Sequence, residues 1–160
     1  MRKILIPTDF TVESLQLIEY VVLNFPDTKL DIKFVAGYRL PDTRWGIAHF
    51  QEKEQIRKNF SSKFKETQRR ILLEYKNNIE AISFELFTGV NSLAFQNFLE
   101  KINVEDAVVP EQKVLYCKDS KWFDTTKLIK KNVKNVIEVP VKFSEETTQK
   151  KFSLTKILNL

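Results

Sequence analysis

Asp9 is the residue whose setting best suggests chemistry. It follows an apolar run, Ile4, Leu5 and Ile6, then Pro7 and Thr8, and a helix-start signal at Thr11 comes two residues later. This pattern describes a buried strand that delivers a carboxylate to its own C-terminal edge. In an open parallel α/β sheet, ligands sit at that edge, where the strand order reverses. The same carboxylate has a second use, accepting backbone N–H bonds in the turn that enters the first helix. Both readings are open at the level of sequence.

The other reactive residue types are isolated. His49 is the only histidine and Cys117 the only cysteine, so no His and Cys shell for a metal can be assembled. His49 therefore reads as a surface or loop residue. Cys117 reads as a small packed side chain, with a thiolate favoured by Lys118 and Lys121 as the alternative. There is no Gly-x-Ser-x-Gly elbow, no paired-carboxylate site and no His-Glu-x-x-His helix. Trp45, Trp122 and Phe123 are candidates for the mouth of a cleft. Lys127, Lys130, Lys131 and Lys134 flank the last helix and read as a solvated face.

Composition bounds the class. The chain has 160 residues, 42% hydrophobic, with thirteen Phe, which is enough for one substantial core. Residues 1–143 read as a single domain and residues 144–160 as a tail. The 26 basic residues are interspersed with 21 acidic ones, so the net charge of +5 describes a solvated surface and no nucleic-acid footprint. No run approaches the ~20 apolar residues of a membrane span. The first strand begins almost at Met1, which leaves no room for a signal peptide. With one cysteine, a reducing, cytoplasmic location is expected.

The elements that must position Asp9 alternate between strand and helix. Strands are expected over residues 3–7, 31–38, 81–87, 106–110 and 135–142. Apolar spacing at Leu15, Ile18, Val21, Val22 and Phe25 predicts a first helix capped by Thr11. A loop over residues 39–49 leads to a long second helix, residues 51–77, with Ile56, Phe60, Phe64, Ile71 and Tyr75 as its apolar stripe. Asn91 or Ser92 caps a third helix carrying Leu93, Phe95, Phe98, Leu99 and Ile102. Asp124 caps a fourth over residues 125–132. A further β-like run, residues 113–117, competes with the fourth strand. No hairpin signal appears, which predicts a parallel sheet with helices on both faces. Pro140 marks the last strand as an edge, because proline lacks an N–H.

The tail changes composition. A polar stretch over residues 144–151 is followed by Phe152, Leu154, Ile157, Leu158 and Leu160. A purely disordered tail does not require these, so docking on the domain or on a partner subunit is expected.

These residues together resemble the universal stress protein family. The strand ending Pro7, Thr8, Asp9, then Phe10 and Ser14, is similar to its opening. Tyr38 with Pro41 resembles the end of its second strand, and Phe87, Thr88, Gly89 and Val90 its third strand and turn. Residues 128–140 resemble its last helix and strand. The resemblance covers about residues 2–142. It implies a Rossmann-like α/β fold, an open five-stranded parallel sheet in the order 3-2-1-4-5, and a homodimer through the last strand. Val136, Ile137, Val139 and Val141 would form that interface. It further implies an adenine or ribose facing Asp9, with Thr8 beside it and the Gly37 backbone near the base.

Nucleotide-binding members of that family also carry a glycine loop after the fourth strand, which cradles phosphates. No glycine follows Gly89 here. Pro110 removes an N–H, Glu111 adds negative charge, and Trp122 and Phe123 stand near where the Gly-Ser pair would be; plugging the vacated phosphate site is their alternative to lining the cleft mouth. The expectation is a stress-response protein that is not an enzyme, has no cofactor, and acts through protein contacts. One alternative is a small-molecule binder for a nucleoside or nucleoside monophosphate such as AMP, or ATP itself, at Asp9. Another is an enzyme of the adenine-nucleotide hydrolase-like superfamily.

Overall fold

The computed structural model describes residues 1–113, 115–117 and 120–140. Five strands run parallel: β1 (Arg2–Pro7), β2 (Leu30–Tyr38), β3 (Ile79–Phe87), β4 (Asp106–Pro110) and, last in the chain, β6 (Asn135–Val139). Their order across the sheet is β3-β2-β1-β4-β6. This is the expected order, with β6 as the fifth predicted strand. A sixth strand, β5 (Trp122–Phe123), was not expected. It pairs antiparallel with the end of β2, Gly37 opposite Phe123 and Tyr38 opposite Trp122.

β1 is central, so both of its faces are buried. Ile4 and Ile6 face one layer and Leu5 the other, and all three are fully buried. A strand covered on both sides must be apolar at every position, which is why its sequence shows no alternation. The first layer is built from a 3₁₀ turn (Glu13–Gln16), α1 (Leu17–Asn24) and α4 (Ser62–Glu74), which bring Leu17, Ile18, Val21, Phe64 and Ile71 onto Ile4, Ile6, Ile32 and Phe34. The second layer is α5 (Ser92–Ile102) and α6 (Thr126–Asn132), with Phe95, Leu99 and Ile129 over Leu5, Val35 and Val109.

The expected long helix over residues 51–77 is two helices. α3 (Glu52–Arg57) ends, and Ser61 caps α4 by accepting the Phe64 N–H at 3.0 Å. Residues 58–61 turn Phe60 into a ring cluster with Phe10, Phe64 and Phe84. A short helix, α2 (Arg44–Ala48), lies in the expected loop, with Thr43 accepting the Gly46 N–H. Asn91 does cap α5, and Asp124 accepts from Thr126 at the start of α6, one residue later than expected. Among the described residues of the 113–117 run there is no strand.

β6 is an edge of the sheet. It ends at Val139, and Pro140 lies just outside it. Val139 is buried in the first layer, Ile137 packs against that layer, and Val136 packs against the second. Val139 is thus engaged by its own domain, while Val136 and Ile137 stay half-buried. Val141 and the tail, residues 144–160, lie outside the described residues. No helix among the described residues is long and apolar enough to cross a membrane.

Candidate functional site

The C-terminal ends of β1 and β2 place Thr8, Asp9 and Gly37 at one edge of the sheet, as parallel topology requires. Thr8 is buried. Its Oγ1 accepts the Phe10 N–H at 3.0 Å and lies 2.9 Å from the Ser14 hydroxyl. Phe10 takes a left-handed backbone, φ 62, a conformation costly for a bulky residue. That geometry drives its ring into an aromatic cluster with Phe60, Phe64, Phe84 and Trp122.

Both carboxylate oxygens of Asp9 have internal partners. Oδ1 accepts from the Thr11 N–H at 3.0 Å and from the Thr11 hydroxyl. Oδ2 accepts from the Tyr116 N–H at 2.9 Å. Thr11 in turn accepts the Ser14 N–H at 3.2 Å, which starts the first helical turn. Asp9 therefore organises the turn after β1, and it also ties the segment after β4 across the cleft. The Thr11 contacts are the local use of Asp9 anticipated from sequence. The Tyr116 contact was not anticipated.

Gly37 is buried, and its role is close approach. Phe123 lies against it, and a Cβ built on Gly37 would sit 2.5 Å from Phe123 Cδ2. Glycine is needed there because any side chain would occupy the space of that ring. Arg39 holds the covering segment in three ways. Its guanidinium stands 5.0 Å from the Phe123 ring centre, its Nη1 donates to the Ser120 carbonyl at 2.6 Å, and its backbone N–H donates to Lys121 at 2.7 Å. Trp122 meets Tyr38 edge-on at 4.7 Å and Phe10 at 5.4 Å.

What remains between Asp9 and these rings is a cavity of about 10 Å³, lined by Thr8, Asp9, Asn59, Tyr116, Cys117 and the rings of Phe10, Trp122 and Phe123. That is room for about one water molecule. Trp122 and Phe123 occupy the space beside the cavity. They fill it over β2, on the backbone that the family resemblance assigns to a base. Sequence reasoning missed the pairing with β2, for which two adjacent aromatics are the only local signal.

The remaining candidates separate from this edge. Cys117 joins the cavity wall, but burial pushes its thiol pKa up, and the Asp124 and Asp9 carboxylates push it further. Lys113 and Arg39 oppose this only in part. That direction runs against the thiolate alternative, one of whose two lysines, Lys118, lies outside the described residues. His49 is exposed and stacks on Trp45, ring centres 3.7 Å apart. Among the described residues no group of three His, Cys, Asp or Glu could hold a metal. Trp45 lies exposed on α2, outside the cavity wall.

No family model matches the sequence, and no curated protein matches it. Solved structures do. A universal stress protein crystallised in complex with cAMP is similar over 88% of this chain and 98% of its own, with 13% identity and a TM-score of 0.48. A protein from the universal stress protein family from Burkholderia pseudomallei is similar over 87% of this chain and 96% of its own, with 12% identity and a TM-score of 0.45. A hypothetical protein is similar over 90% of this chain and 98% of its own, with 18% identity and a TM-score of 0.46. This chain's own topology, five parallel strands ordered 3-2-1-4-5 between two helical layers, is a Rossmann-like α/β fold.

Proposed function

We propose that this chain is a universal-stress-protein-like protein of the stress response whose nucleotide cleft is closed by its own aromatic side chains. It does not bind ATP in the family manner, and it works through protein contacts in the cytoplasm. The observation that carries this reading is Phe123 seated on Gly37 and held there by Arg39. Two facts support it. Asp9 has internal partners for both oxygens, and no glycine follows Gly89 to form a phosphate cradle. Calorimetry with ATP and Mg²⁺, and with AMP, tests it. No binding heat is expected at physiological concentration. Micromolar affinity that disappears in Asp9→Ala overturns the reading in favour of a nucleotide-binding cleft at Thr8, Asp9 and Gly37.

The same reading includes a homodimer through β6, whose outer edge has no strand partner among the described residues. An unpaired parallel edge offers backbone N–H and C=O groups to a second copy. Val136 and Ile137, both half-buried, supply the side-chain contact. Light scattering on the full chain is expected to give twice the monomer mass, and Ile137→Lys to give the monomer. A full-length monomer rejects the dimer.

A further inference from the structure

Nine large apolar side chains are exposed among the described residues, and six of them are Leu40, Trp45, Ile47, Val90, Leu93 and Tyr116. All six follow the C-terminal ends of strands: the first three follow β2, the next two β3, and Tyr116 follows β4. Leu40 is only 37% exposed, but Trp45 is 74% exposed, Val90 83% and Leu93 68%. Because the strands are parallel, these segments all rise from one end of the sheet, around the closed cleft. Single exposed apolar residues need no explanation, but concentration at one end marks a contact surface.

The topology also says what can reach it. β6 is parallel to the other strands, so the chain leaves the sheet after Val139 at this same end. From β6 to β2 is three strand spacings, about 14 Å. Residues 141–151 are mostly polar and can span about 35 Å when extended. The apolar group Phe152, Leu154, Ile157, Leu158 and Leu160 then follows. Reach, polarity and hydrophobicity therefore agree on one occupant. A tethered segment also acts at a high effective concentration, so even weak apolar contact holds it.

We propose that residues 152–160 seat in the same chain on the apolar end of the sheet, covering Trp45 and its neighbours after β2 and β3. This holds whether or not the cleft binds nucleotide, and it is measured without one. The experiment compares the full-length protein with the full-length triple variant Leu154→Ser, Ile157→Ser and Leu158→Ser. Acrylamide quenching and emission wavelength are read for each, and Trp45→Phe versions assign the signal to Trp45. In the triple variant, Trp45 emission is expected to shift to the red and to quench more readily. Trypsin is also expected to cut faster after Lys151 and Lys156, and the same acceleration is expected from Ile47→Ser with Leu93→Ser. Identical Trp45 quenching and identical cleavage with and without the three serines overturn the proposal. Protection of Trp45 that is lost on dilution, together with dissociation seen by light scattering, also overturns it and assigns the seat to a second copy's segment. Protection that appears only when another protein is added overturns it in favour of a foreign partner.

Discussion

Ile6→Ala is expected to cost ~2–5 kcal/mol of folding free energy, the range for large-to-small changes in a packed core. Ile6 is fully buried in β1, the central strand of the sheet, with Phe34 beside it in register on β2. Its face meets Leu17, Ile18 and Phe64 in the first helical layer. The lost methyl groups forfeit their transfer energy, and the cavity adds to the cost because strands on both sides limit relaxation. Urea unfolding followed by circular dichroism measures it, with the midpoint falling and the slope unchanged. A loss below about 1 kcal/mol would mean that β1 does not carry the core.

Gly37→Ala is expected to destabilise by ~1–3 kcal/mol, the usual cost of overpacking. The added methyl takes the space of Phe123, whose ring also meets the Arg39 guanidinium and packs edge-on to Phe87. Either the ring leaves, opening β5 from β2, or β2 shifts within the sheet. Because the clash is with one ring, the two positions must couple. In a Phe123→Ala background the same Gly37→Ala change is expected to be nearly neutral. A double-mutant cycle by urea unfolding measures this coupling. Additive effects at the two positions would show that the ring does not rest on Gly37.

The layers of this fold were legible because burial writes itself into local sequence. Ile4, Leu5 and Ile6 run without alternation since β1 has a helical layer on each face. Caps with a partner three residues away were legible as well, as with Asn91 and Ala94. The break between α3 and α4 was hidden, since Ile56, Phe60, Phe64 and Ile71 keep a helix-like spacing straight through it. Ser61 is a cap only because Phe64 donates to it, and in the sequence it looks like any surface serine. α2 was hidden for a different reason: it has no buried residue and so leaves no apolar period.

With the strand order supplied by the family resemblance, the sequence by itself determined the alternation of strand and helix, the placement of Asp9 and Gly37 at the C-terminal ends of their strands, and the lack of any glycine after Gly89. These follow from apolar period, from parallel topology and from composition, which are all local or chain-wide properties. Only the tertiary structure decided what happens at that edge. Asp9 meets the Tyr116 N–H, 107 residues away, and Phe123 covers Gly37 through a two-residue strand. Two residues carry no periodicity, and a long-range hydrogen bond leaves no trace in spacing. Such contacts exist only once the layers have packed and brought distant backbone groups within bonding reach.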